Sequence, residues 1–529
     1  MKIADAMPLG KRPTPANSLL LVLLLALLLR LATFNGALGS DDLVYFGRAV
    51  DLARGEWTSA NYNGALRYGF NLPAAAFIAL FGENLFVANL WPLMASLLEI
   101  AAVYVFAESV MNRRAALFSA LLLATAPLHM AVASRIHADA VVSMFLTLAF
   151  VLLYFGAIRR HVGLLFAAGL AIGGVFWTKE LALVTWFAIL PMVWLFRGNW
   201  RLCIWPLSGA VLMVLLHLGL MDFIAGDPLH LVKVVTRAVQ KNFVAGGQGE
   251  DGAAYYLKFL FFDIRHTGFL GFFAILSIGL VPAWLHREGR SNLGFGVALL
   301  WWLGLLVVLS LFPVSLSPLR LTMKQSNYIT LFLAPMALLA GMAVAAMPPI
   351  AYRLALALSL SIGSLLGVLQ QADYRAYTAN SKAVAVFSAA HPNSLVIGSA
   401  NNSALGNLWA RLANPDTAHL AILDWRDLAE SADVVHDRQT HADAVYVVLD
   451  RQTLSRGPTK PPTTNALACW SHVEALVPAD LSWGNRLAAS AAKALHAVKP
   501  LADALDRLAR PEHADVYQVM GANILCRAD

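Results

Sequence analysis

"SLLLVLLLALLLRLATF", Ser18 to Phe34, carries one charge in seventeen residues. With the next three residues the run reaches Ala37, about 30 Å as a helix and enough for a hydrocarbon core. Further apolar segments follow near 84–108, 115–130, 139–157, 162–177, 181–196, 204–221, 267–285, 294–312, 326–346 and 350–368. Eleven spans are expected. The stretch 162–196 reads equally as two short helices or one long tilted one. Lys11 and Arg12 before the first run, with "ALGS" after it, resemble a signal peptide, but the later spans favour an uncleaved first helix.

Composition agrees. Of 529 residues, 59% are hydrophobic and 13% charged, against about 25% charged in soluble domains. Fourteen Trp and 27 Phe suit lipid contacts and interfaces. The net charge of +7 has its source in the connections between spans. "ESVMNRR", "IRRH", "FRGNWR", "HREGR" and "PPIAYR" all carry arginine and all fall on even connections. The positive-inside rule assigns that side to the cytoplasm. No basic module of a nucleic-acid-binding type is present, so nucleic acid is not an expected partner.

The odd connections then face outward. They hold Asp41 and Asp42, "SRIHAD", "WTKEL", the long 222–266 segment and "SPLRLTMKQSN". Outward loops are expected near 38–83, 222–266 and 313–325, with the membrane part ending at 370. From 371 to 529 the chain turns polar. "SLVIGSA", "HLAILD" and "AVYVVLD" read as buried strands, with "SALGNLWARLA" and "DWRDLAESA" as helices between them. That alternation predicts a small extracytoplasmic α/β domain, followed by the amphipathic helices "LAASAAKALHAV" and "ADALDRLAR". Cys203, Cys469 and Cys526 have no metal-ligand spacing. Cys469 and Cys526 either pair in an oxidising compartment or stay free.

The outward face gathers the chemistry. Acids beside hydrocarbon are costly and tend to be functional, and a carboxylate within reach of a hydroxyl serves as a general base. Asp41 and Asp42 fit that role, or simply end a helix. Arg135, His137 and Asp139 cluster at the head of the fourth span. Arg135 offers a donor fork for phosphate, and Asp139 is placed to cap the helix. Lys179 and Glu180 form an ion pair or grip an anionic group, and Gly173 and Gly174 permit close helix approach. Lys233, Arg237 and Lys241 share one helical face, a lipid-facing or merely solvated stripe. Arg320, Lys324 and Tyr328, four residues apart, share another face if the tenth helix begins early. Arg30 snorkels or pairs with an acid inside the first span. No metal-ligand set, nucleophile elbow or phosphate loop is present.

In this order the acid pair, "SRIHADAVVSMFLTLAFVLLYFGA", "GGVFWTKELALV", "AGDPLHLVKVVTRA" and "KQSNYITLFLAPMALLAG" resemble a GT-C class polytopic glycosyltransferase, akin to bacterial relatives of protein O-mannosyltransferases and of the lipid A aminoarabinose transferase. The resemblance covers about residues 18–346. It implies a GT-C-like helical membrane protein of about 11 transmembrane helices (11–13) in the bacterial inner membrane. The implied partners are a polyprenyl-phosphate-linked sugar donor, membrane lipids, and a glycan, lipid or protein acceptor. It implies Asp41 as base and Asp139 as the second acid; Asp42 stands where relatives often carry glutamate, and is expected to orient substrate or bind an optional divalent cation. Arg135, Lys179, Lys324 and Tyr328 would hold the donor phosphate. His137, Glu180, Lys233, Arg237 and His266 are further candidates for substrate contact. No cofactor is implied as required. Where relatives carry a His-Pro or Lys-Pro-Pro element, "YGFNLPAAAF" keeps only Pro73. A polysaccharide polymerase or ligase, a transporter or flippase, and a noncatalytic assembly protein are the rival readings. A transporter would show broken or charged helices and an internal repeat, neither of which is clear in the sequence.

Overall fold

A computed structural model describes residues 16–244, 252–317, 319–322, 324–413, 422–425, 442–454, 470–478 and 481–519. The helices used below are α1 (Ala16–Ala32), α2 (Asp41–Ala53), α3 (Tyr68–Phe81), α4 (Leu90–Val110), α5 (Arg113–Ala124), α6 (Pro127–Ala133), α7 (Ala138–Arg159), α8 (Val162–Thr178), α9 (Ile204–Ala225), α10 (His230–Val244), α11 (Leu270–Arg287), α12 (Leu293–Leu311), α13 (Thr330–Ala346), α14 (Pro349–Ala390), α15 (Ala400–Ala413), α16 (Trp483–Ala494) and α17 (Lys499–Ala509).

Each expected span overlaps helix, but the first ends at Ala32 and 181–196 is mostly 3-10 turn. Among the described residues seven helices are long and apolar enough to cross a membrane, or up to eight if the bent α5–α6 pair is one span. Asn17–Ala32, Val162–Thr178 and Trp186–Phe196 are shorter apolar helices, as is Tyr68–Phe81 within the expected first loop. The 162–196 stretch resolves into two pieces, because the chain leaves α8 at Lys179 in extended conformation and continues as tight turns from Glu180.

Two features hold the bundle together. The first is backbone-close packing. A Cβ on Gly169 of α8 would lie 2.1 Å from the Pro206 carbonyl of α9, and one on Gly209 would lie 2.4 Å from the Phe166 carbonyl. Only glycine allows that crossing. A Cβ on Gly173 would lie 2.2 Å from Met213 and one on Gly174 2.7 Å from the Phe145 ring, in line with the close approach expected from their sequence positions.

The second is a buried polar network. Arg30, 1% exposed, does not snorkel. Its guanidinium donates to Ser96 Oγ (2.9 Å), the Ala26 carbonyl (2.9 Å) and the Ala124 carbonyl (3.2 Å), and contacts His129 Nδ1 (2.7 Å). His129 Nε2 meets Glu99 (3.1 Å), whose other oxygen accepts from Ser143 (2.7 Å) and Thr147 (2.8 Å). Pro127 cannot continue the ladder of α5, so the chain bends by 63° there, and Arg30 satisfies a carbonyl at the break. Broken helix and buried charge are thus both present, contrary to the sequence reading. The charged groups bond one another and leave no open site.

Arg320, Lys324 and Tyr328 do not share a helical face. Arg320 lies on β2 (Leu319–Leu321), paired antiparallel with β1 (Pro313–Leu316). Lys324 lies in the following loop, and Tyr328 in a 3-10 turn ahead of α13. Asn327 and Tyr328 therefore enter the bundle from an irregular segment.

The last span does not stop at residue 370. α14 runs unbroken for 42 residues, about 60 Å, and carries the sheet on its far half. That sheet has five strands in the order β4 (Leu423–Asp424), β3 (Ser394–Gly398), β5 (Ala444–Asp450), β7 (Ala514–Val519), β6 (Trp470–Leu476). β3 is parallel to β4 and β5, while β7 is antiparallel to β5 and β6. The near-continuous apolar run of β5 fits a central strand covered on both faces. α15 contains "SALGNLWARLA" and α17 all of "ADALDRLAR" but its last residue, while α16 ends at Ala494, before the last four residues of "LAASAAKALHAV". Most of "DWRDLAESA", and Cys469 and Cys526, lie outside the described residues.

Candidate functional site

Asp41 and Asp42 open α2, yet their surroundings differ completely. The loop before them turns through Gly36 and Gly39 at positive φ (+78° and +90°), conformations open to glycine. Asp42 is buried and gathers that loop. Its two oxygens accept from the backbone N–H groups of Leu38, Gly39 (3.3 Å) and Ser40 (2.6 Å). These bonds give Asp42 a role in holding the loop, beside the expectation that it orients substrate or a cation. Asn401 of α15 packs on Gly39, so the C-terminal domain touches the same loop.

Asp41 is 44% exposed. Tyr62 Oη donates to its Oδ1 (2.5 Å), and Arg67 Nη1 lies 3.4 Å from its Oδ2. Arg67 is the residue that sequence reading missed. It also grips Glu180 with Nε (3.1 Å) and Nη2 (2.9 Å), and donates to Tyr45 Oη. Asn63 Nδ2 adds a bond to Glu180 (2.6 Å). Burial alone would push the Glu180 carboxyl up, but the Arg67 guanidinium and these bonds outweigh it and hold it at about 2. Arg67 reaches Glu180 because α3 docks on the end of α8, where a Cβ on Gly69 would lie 2.4 Å from Thr178 Oγ1. One signal was available: Arg67 is the only lysine or arginine between Arg54 and Arg113.

The neighbouring half centres on Asp139 in the first turn of α7. Lys179 Nζ lies 2.6 Å from Oδ1, His137 Nδ1 2.8 Å from Oδ2, and Asn327 donates to Oδ2 at 3.3 Å. Lys179 Nζ also sits 4.5 Å from the centre of the Tyr328 ring. Burial pulls the Lys179 ammonium below the usual lysine range, against the attraction of Asp139. Burial likewise lowers His137, helped by the charge of Arg135. Adjacent in sequence, Lys179 and Glu180 join the two halves. They pair with separate partners, not with each other: Lys179 with Asp139, Glu180 with Arg67.

Arg135 stands beside this cluster. Its backbone bridges to Gly36, and its guanidinium lies 5.0 Å from the centre of the Tyr374 ring of α14. It makes no ion pair among the described residues, and its Nε is buried without a hydrogen-bond partner. It is thus the cation of the group most open to an added anion.

Other candidates lie apart from these contacts. Lys324 Nζ donates to the carbonyls of Leu309, Ser310 and Thr322, all at 2.9 Å. It closes the end of α12, a favourable place for a cation, so its described contacts are with backbone carbonyls of the protein itself. Lys233 pairs with Asp227 (2.7 Å), and Arg237 donates to the Lys233 carbonyl on exposed α10. The Lys241 side chain lies outside the described residues. His266 pairs with Asp263 (2.9 Å) and packs on Phe259. Among the described residues no group of three or more His, Cys, Asp or Glu is arranged to hold a metal ion.

The profile of the dolichyl-phosphate-mannose-protein mannosyltransferase family matches residues 69–221. No curated protein sequence matches the chain. Among solved structures, ArnT from Cupriavidus metallidurans in the apo state superposes with a TM-score of 0.55 at 16% identity, over 96% of this chain and 99% of that one. The same ArnT bound to undecaprenyl phosphate gives 0.52 at 17%, over 84% and 94%. The Archaeoglobus fulgidus oligosaccharyltransferase in its apo form gives 0.50 at 14%, over 83% and 70%. The chain therefore has the fold of these enzymes and resembles the GT-C class.

Proposed function

We propose that this integral membrane protein transfers a monosaccharide from a polyprenyl-phosphate donor to a hydroxyl of a lipid, glycan or protein acceptor, on the extracytoplasmic face of a bacterial inner membrane. The observation that carries the reading is Asp41. It is a half-exposed carboxylate held by Tyr62 and Arg67 at the edge of a buried cation–carboxylate cluster, in a fold whose ArnT counterpart binds undecaprenyl phosphate.

The acceptor oxygen attacks the anomeric carbon while Asp41 takes its proton. The bond from that carbon to the phosphate oxygen breaks, and the lipid phosphate leaves with the electron pair. Direct displacement inverts the anomeric centre. The developing phosphate charge needs a cation more than an acid, and Arg135, lacking a carboxylate partner, supplies it. Arg67, with Tyr62, keeps the Asp41 carboxylate aimed. Asp139 and Glu180 hold Lys179 and Arg67 in place.

The test is a pair of assays on purified Asp41→Asn. Binding of a synthetic sugar-phosphate polyprenol should persist while release of polyprenyl phosphate drops by roughly 10²–10⁴-fold. Transfer within about threefold of wild type would remove Asp41 as the base. Arg135→Ala should also lose roughly a hundredfold, the scale of one charge-stabilising donor, with weaker donor binding. A transporter would move intact donor without releasing polyprenyl phosphate.

A further inference from the structure

Far from the cluster, α16 and α17 form a helical hairpin pinned at its base and bare at its tip. Its base sits where the spans end. Ser482 and Asn485 close a capping box at the start of α16. Trp483 Nε1 donates to the carbonyl of Ala32, the last residue of α1 (2.7 Å). A Cβ on Gly484 would touch Val368 and Ala372 of α14 at 3.2 and 3.3 Å. Asn485 Nδ2 donates to the Ala372 carbonyl (2.9 Å) and to the Leu508 carbonyl (2.6 Å), tying both arms to one level of α14. Leu369 packs against the small core made by Ala488, Ala492, Leu505 and Ala509. That level joins the outer end of α1 to the point where α14 turns from apolar to polar sequence.

From this base the tip, "KALHAVKPL" from Lys493 to Leu501, is exposed at every residue but none is acidic. Its large apolar side chains, Leu495, Val498 and Leu501, are 38%, 52% and 45% exposed. Lys493, His496 and Lys499 alternate with them. Trp483 and Leu487 extend the apolar surface back along α16. A soluble domain seldom leaves apolar groups bare together, and such patches mark an interaction surface. Lysine beside leucine and valine, with a tryptophan anchored at the end of a span, is the composition of segments that lie in the lipid interface.

We propose that the α16–α17 hairpin is a membrane-interface anchor, its tip seated among the headgroups and upper acyl chains of the adjacent leaflet, with Lys493 and Lys499 on anionic lipid phosphates. The surface is continuous with the lipid-facing spans through Ala32 and α14, and its charge is complementary to an anionic leaflet. Anchoring at this point ties the C-terminal domain to the bilayer independently of the transfer chemistry, so it stands or falls apart from the proposed reaction.

Full-length protein with Cys203, Cys469 and Cys526 changed to Ser, and Val498→Cys carrying a polarity-sensitive fluorophore, tests the seat in nanodiscs. Val473→Cys on the exposed edge strand β6 is the water-facing control, and Leu501→Cys a second probe of the tip. In discs containing phosphatidylglycerol, acyl chains brominated near the headgroup should quench positions 498 and 501 at least twofold more than 473. Iodide in the buffer should do the reverse. Replacing phosphatidylglycerol by phosphatidylcholine, or changing Lys493 and Lys499 together to Gln, should reduce the lipid quenching. Equal iodide quenching at 498, 501 and 473 would overturn the proposal. So would protection from both quenchers, which would assign the patch to a protein partner, and so would lipid quenching indifferent to anionic lipid and to the two lysines.

Discussion

Two adjacent carboxylates, alike in sequence, divide their work by what lies within 3.5 Å of them. Asp42 accepts three backbone N–H groups and Asp41 leaves an exposed edge. Asp42→Asn keeps the shape but loses one accepting oxygen, so an amide is left unsatisfied at a cost of about 1–3 kcal/mol. Its melting temperature should fall, its activity should fall less than that of Asp41→Asn, and added divalent cation should restore neither. Glu180 carries a pH signature. Its carboxyl is held at about 2 in the fold, below the roughly 4.3 of a free glutamate. A depressed carboxylate stabilises the fold above the unfolded pKa and loses that contribution as pH falls toward the folded one. Thermal stability should therefore be insensitive to this pair between pH 5.5 and 8 and decline below about pH 4. In Glu180→Gln that acid limb should flatten. The variant should also lose about 3–5 kcal/mol at neutral pH, because Arg67 remains buried with only Asp41 opposite. An unchanged acid limb in Glu180→Gln would contradict the pairing.

Helix crossings decide which side chains meet. α8 delivers Lys179 and Glu180 only because it lies flush against α9 on one side and receives α3 on the other. Gly169→Val would drive a methyl into the Pro206 carbonyl, and overpacking of this kind costs about 1–3 kcal/mol. The measurement is thermal unfolding of the detergent-purified protein. Gly219→Ala on the same α9, with open space around its Cβ position, should stay within about 0.5 kcal/mol of wild type. If both variants melt alike, the crossing is not what limits stability. The bend at Pro127 matters in the same way, since it turns α6 toward the loop that carries Arg135 and His137.

The whole molecule places its first loop, the Lys179–Glu180 junction, the head of α7 and the sheet domain at one end of the bundle. The arginine-bearing connections alternate with these along the chain, and the positive-inside rule predicts that they face the cytoplasm. In intact cells an impermeant thiol reagent should label Ser40→Cys and Val473→Cys and spare Glu288→Cys, each in a background without native cysteines. Labelling of position 288 with protection of the other two would invert the orientation and move the proposed site to the cytoplasm.

Apolar run length and the arginine parity are properties of the chain alone, so helical membrane architecture, the crowding of charge on one side and the strand–helix alternation of the tail were legible without coordinates. The strands of the tail follow from local apolar pattern, as β3 and β5 demonstrate. That Asp41, Asp139 and Lys179 are candidates was also visible, because charge beside hydrocarbon is rare. Pairing was not visible. Arg67 is 113 residues from Glu180 in sequence, and Lys179 is 40 from Asp139. Their meeting depends on glycine-lined crossings that no local pattern encodes. Lys324 shows the converse: regular spacing suggested a shared helical face, but the chain there is a hairpin and loop, and the ammonium closes a helix end. Sequence determined which charged groups the protein carries near the membrane. Only the tertiary structure decided which of them pair with one another, and that Asp41 stays half-exposed and Arg135 without an ion pair among the described residues, since partner choice over such separations is set by packing.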